Sequence, residues 1–121
     1  MAEILILDDE AAVAQTMQRA LNLEHRIVLS QSPAESLAFL RLGKRYAAIL
    51  CDLSMPGING IQFYDAVQAL DPFQAQRIIF VSGGAYLEGI QSRLEAINNV
   101  LLNKPFTFDQ LRQTVRRVVS A

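Results

Sequence analysis

The residues of this chain best suited to chemistry fall in four places. Asp8, Asp9 and Glu10 stand together near the start, Asp52 lies further on, Ser82 precedes Gly83 and Gly84, and Asn103 and Lys104 come late. Each place follows a short apolar run. Acidic groups drawn together repel one another and are costly to keep ionised without a cation. A hard divalent ion relieves that cost. Oxygen ligands at a small, partly hydrated site favour magnesium, with manganese as an alternative. A lysine and a small hydroxyl opposite the acids would suit a phosphoryl group, whose charge spreads over its equatorial oxygens. A carboxylate in that setting can act as a nucleophile and form an aspartyl phosphate.

Such a site requires a fold that brings the four places together. Apolar runs at 4–7, 26–29, 47–50, 77–81 and 100–102 are mostly rich in Ile, Val and Leu, which suits strands buried on both faces. Between them lie amphipathic segments. Val13, Met17, Ala20 and Leu21 recur at helical spacing, as do Phe108, Leu111, Val115, Val118 and Val119. Ser32, Pro33 and Glu35 form a helix start with the elements of a capping box, and Thr107 with Gln110 offers another. Asn59 can cap a helix beginning near Gly60. Gly43 can end the second helix, and Asp71 with Pro72 the third. A fourth helix over about 86–96 is weakened by Gly89.

The pattern is a β-α unit repeated five times. It predicts an α/β fold with a parallel sheet and helices on both faces. Right-handed crossovers and a crevice between the first and third strands give the flavodoxin-like order 2-1-3-4-5. In such sheets ligands bind at the carboxyl ends of the strands, near the switch point. The acids follow strands one and three, which flank that point. Ser82 follows strand four, and Lys104 follows strand five.

Taken singly, each place has a plainer reading. An acid pair after a strand often caps the next helix. Ser82 with its glycines reads as a turn, and Lys104 with Pro105 as a loop. Asp52 is harder to dismiss, because it ends an apolar strand. The plain readings together require four independent coincidences.

At these residues the chain resembles the response-regulator receiver family of two-component signalling. The resemblance rests on Ile4, Leu5, Ile6, Leu7, Asp8, Asp9 and Glu10, and on the stretch from Ile49 through Asp52, Pro56 and Gly60. Ile79, Phe80, Val81, Ser82 and Gly83, then Lys104, Pro105 and Phe106, complete it. It covers essentially all of residues 1–121, expected as one receiver domain. The resemblance implies that Asp52 is the phosphoacceptor. It implies a magnesium shell of Asp9, Asp52 and the backbone carbonyl of Ser54, with Asp8 acting through water. Lys104 would pair with a phosphoryl oxygen, and Ser82 would bond the phosphoryl group and carry the signal. Pro105 matches a proline that is often cis in the family.

The implied phosphoryl source is a sensor histidine kinase or a histidine phosphotransfer domain. The implied output is a conformational switch acting on an attached domain, a downstream partner or a second copy, through the face of helix 4, strand 5 and helix 5. Such a domain is not an enzyme beyond its own phosphorylation and dephosphorylation. Leu101 departs from the family, which usually has Tyr or Phe there, and Tyr86 is a candidate substitute. This departure and the Ser-Gly-Gly turn resemble receivers attached to hybrid histidine kinases. The main alternative is a receiver-like interaction module that works without phosphorylation; such modules usually lose an acid or the lysine.

Other features are bland. A net charge of -1 predicts no general affinity for nucleic acid or membranes. No apolar run is long enough for a transmembrane helix, and no signal peptide is visible, so a cytoplasmic location is expected. Cys51, the single cysteine, reads as a small core residue. His25 is expected on a surface loop. Arg112, Arg116 and Arg117 are expected to complement the dipole of the last helix.

Overall fold

The computed structural model describes residues 2–84 and 88–121. Tyr86 therefore lies outside the described residues. The strands are β1 (Ala2–Leu7), β2 (His25–Ser30), β3 (Ala48–Asp52), β4 (Ile78–Ser82) and β5 (Leu101–Asn103). The helices are α1 (Ala11–Leu21), α2 (Pro33–Arg41), α3 (Gly60–Leu70), α4 (Pro72–Ala75), α5 (Glu88–Ala96) and α6 (Phe108–Ser120). All strand pairings are parallel, in the order β2-β1-β3-β4-β5. This is the expected flavodoxin-like arrangement.

Alternate residues of each central strand feed two separate cores. Ile4, Ile6, Leu50 and Val81 pack with Met17, Leu21, Leu111 and Val115 of α1 and α6. Leu5, Leu7, Ile49 and Phe80 pack with Leu37, Leu40, Phe63 and Val67 of α2 and α3. Both faces of the sheet are thus sealed, which explains the near-continuous apolar runs.

Local signals set the helix starts. Asn59 and Gln62 form a complete capping box on α3, and Thr107 and Gln110 form one on α6. At α2 the Ser32 side chain accepts from the Glu35 N–H at 3.1 Å, with Pro33 in the first turn. Gly43 adopts φ +97° just beyond α2, a conformation that favours glycine.

Three findings depart from the sequence reading. Asp71 and Pro72 end α3 as expected, but they also start a helix, α4. The Asp71 carboxylate accepts from the N–H groups of Phe73 and Gln74. The fourth and fifth expected helices are therefore α5 and α6. His25 is not on a surface loop. It opens β2 opposite Ala2, is buried, and neither ring nitrogen has a hydrogen-bond partner. Finally, Arg112 and Arg116 clasp α1 and the turn after it. Arg112 Nε donates to the Ala20 carbonyl at 2.8 Å, and Arg116 forks onto Glu24 at 2.7 and 2.6 Å. Arg117 alone sits in the last turn, where the dipole argument applies.

Candidate functional site

Parallel pairing places the carboxyl ends of all strands on one edge. Asp8 follows β1, Asp52 closes β3, Ser82 closes β4 and Lys104 follows β5. β1 and β3 are neighbours with Leu7 opposite Cys51, so the next residues, Asp8 and Asp52, emerge side by side. Ser82 is paired with Asn103, which places Lys104 one step beyond it. Carboxylate oxygens of Asp8, Asp9 and Asp52 all lie within 4.8 Å of one another. The fold therefore brings the sequence-predicted acids together and sets Ser82 and Lys104 along the same edge.

Their environments differ. Asp8 is fully buried, Asp52 is 7% exposed and Asp9 is exposed. Burial pushes the Asp52 carboxyl above its usual range. The Ser54 N–H, which donates to Asp52 Oδ1 at 3.2 Å, and the Lys104 charge oppose that push, while Asp9 and Glu10 add to it. Asp8 is raised for the same first reason and by the nearby Asp52 charge, while the Glu10 N–H, which donates to its Oδ1 at 2.9 Å, opposes the push. Its other oxygen, Oδ2, is buried without a hydrogen-bond partner. A buried carboxylate oxygen among acids is costly unless a positive or hydrogen-donating group pairs with it. A hard divalent cation fits this donor set.

Ser82 is buried, and its Oγ accepts the Gly84 N–H at 3.0 Å. The Lys104 N–H donates to the Ser82 carbonyl at 2.7 Å, which ties the two residues through the backbone. The peptide bond between Lys104 and Pro105 is cis. Leu101 is half-buried on β5 and packs on the core beside Phe80, its partner across β4.

Two supports were not foreseen from sequence beyond their local roles. Gly60 starts α3, and a Cβ there would lie 2.9 Å from the Asp52 carbonyl oxygen and 3.1 Å from Leu53 Cα. Only glycine lets α3 come so close behind the acid. Ser30 accepts the Asp8 N–H at its carbonyl, at 3.1 Å. Its Oγ accepts from the buried Ser36 Oγ at 2.8 Å and donates to the Ser32 carbonyl at 3.0 Å. A serine closing an apolar strand is the signal that singled out Ser82, and it applies equally to Ser30.

The fold and the acid-lined edge define a receiver-type module, and comparison with known proteins agrees. The family model described as response regulator receiver domain matches residues 4–116. The chain belongs to that family, whose members are regulatory domains of two-component signal transduction. It is 35% identical over 121 residues to the hydrogenase transcriptional regulatory protein HoxA of Cupriavidus necator, covering 99% of this chain and 24% of that protein. It is 27% identical to the sensor histidine kinase AruS of Pseudomonas aeruginosa, covering 96% of this chain and 12% of that protein. The chain thus spans a quarter or less of these two relatives. Among solved structures, the Vibrio cholerae chemotaxis protein CheY4 superposes with a TM-score of 0.82 at 26% identity, covering 98% of each chain. Among the described residues, no helix is long and apolar enough to cross a membrane.

Proposed function

We propose that this domain accepts a phosphoryl group on Asp52 from a phosphohistidine and answers with a change of conformation. The observation that carries this reading is the convergence of Asp8, Asp9 and Asp52 within 4.8 Å at the switch point. The Ser54 N–H orients the Asp52 carboxylate through Oδ1. Attack on phosphorus then falls to Oδ2, in line with the P–N bond, which breaks as the imidazole leaves with its electron pair. Lys104 offers positive charge to the oxygens of the transferring group. Ser82 Oγ would turn from the Gly84 N–H toward the new phosphoryl group.

Asp9, Asp52 and the Ser54 carbonyl would hold magnesium or manganese, with Asp8 acting through water. Bound there, the ion supplies positive charge against both the acids and the incoming phosphoryl group. The donor would be a sensor histidine kinase or a histidine phosphotransfer domain, in a cytoplasmic setting. The proposed output surface is that of α5, β5 and α6, where a groove of about 580 Å³ has Leu102, Pro105, Gln113 and Arg117 in its lining.

The test is intact-mass measurement with magnesium and a small acyl-phosphate donor. Wild-type protein should gain one phosphoryl group, and Asp52→Asn should gain none. Wild-type protein left unmodified by such donors and by phosphorylated histidine kinases would overturn the reading.

A further inference from the structure

Among the described residues, α5 has the weakest grip on the sheet. α1, α2, α3 and α6 each bury at least three residues. No described side chain of α5 is fully buried; Ile90 and Leu94, with Ile97 just past its end, are only half-buried against the core. Gly89 lowers the helix's intrinsic stability further. One polar tie compensates. Arg93 reaches across to Asp65 of α3 with two bonds, Nη2 to Oδ1 at 2.6 Å and Nη1 to Oδ2 at 3.1 Å. It is the one ion pair of α5 with another element among the described residues.

We infer that the Asp65–Arg93 fork is a latch, holding α5 against α3 in the resting arrangement and opposing the rearrangement that a phosphoryl group on Asp52 favours. The inference rests on the proposed function. Ser82 Oγ accepts the Gly84 N–H, at the start of the segment that leads to α5, so a phosphoryl group that draws this hydroxyl over pulls on that segment. The most lightly held helix is the one free to respond. Both partners of the fork are about half exposed, at 47% and 48%. Exposed pairs are weak, and weakness suits a switch. A ligand moves an equilibrium only by its differential affinity, so a stronger tie would keep α5 shut. This route needs no aromatic ring at Leu101.

Linkage fixes the sign of the effect. Opening the latch raises the share of the responsive state and therefore tightens binding of any group that prefers it. The probe is beryllofluoride, a tetrahedral stand-in for a phosphoryl group on a carboxylate, titrated calorimetrically in excess magnesium. Arg93→Gln and Asp65→Asn should each bind it roughly two- to five-fold more tightly than wild type, the range of exposed ion pairs. The double variant should bind no more tightly than either single, because both remove one interaction. Without beryllofluoride, amides of residues 88–96 should exchange faster in the variants. If wild type does not bind the probe, the phosphoacceptor reading falls and the latch with it. If wild type binds and the variants bind equally or more weakly, the latch alone is overturned.

Discussion

At the residue scale, Asp8 and Asp52 are carboxylates held where burial works against their charge. Charge repulsion inside the cluster is therefore stored in the folded state. Asp52→Asn removes one charge and keeps the shape. In the absence of divalent ions this variant should melt higher than wild type, by about 4 °C for each 1 kcal/mol relieved in a domain of this size. Magnesium should reverse the ranking. A cation at tenfold its dissociation constant stabilises the protein that binds it by about 1.4 kcal/mol. Scanning calorimetry with and without magnesium checks both statements. Gly60 makes a second residue-scale case. A methyl group at 2.9 Å from the Asp52 carbonyl meets backbone, which cannot swing aside. Gly60→Ala should cost about 1–3 kcal/mol, as overpacking does. It should also slow phosphoryl uptake by Asp52, a combination that urea titration and timed mass spectra would reveal.

At the element scale, the strands were legible because both of their faces are covered. Alternation is lost when both faces are apolar, and the short run itself becomes the signal. Capping chemistry set the starts of α2, α3 and α6 because those hydrogen bonds are local. What was not legible depended on neighbours distant in sequence. Asp71 and Pro72 carry both a stop and a start signal, and the start is backed by contacts distant in sequence: Ala75 lies in the core, and the Gln74 side chain bonds the Tyr46 N–H and carbonyl. Glu24 and His25 look polar in isolation. His25 is strand only because Ala2 of β1 pairs with it. The acids of the site were legible at the ends of their runs, whereas the need for glycine at residue 60 was not, since the atom it avoids belongs to Asp52.

At the scale of the whole molecule, the two ends of the chain's helical layer are joined by Glu24 and Arg116. The guanidinium of Arg116 beside Glu24 holds its carboxyl below the ordinary value of 4.5. A carboxyl depressed in the fold contributes stability above its unfolded value, and that contribution fades as pH falls through the folded one. Wild-type protein should therefore lose stability on acidification below about pH 4.5 more steeply than Glu24→Gln. Denaturant midpoints taken from pH 6 down to pH 3 test this, and parallel curves would contradict it. High salt should shrink the difference, since the pair is open to solvent.

Cys51 has a use unrelated to signalling. The only thiol of the chain lies in the middle strand of the sheet, fully buried, with burial pushing it well above the ordinary thiol range. Alkylating reagents need an exposed thiolate, so the folded molecule is silent toward them. Each modified molecule is then one in which β3 has come away from its neighbours. The native sequence thus carries its own clock for opening of the sheet, readable by mass without an added label.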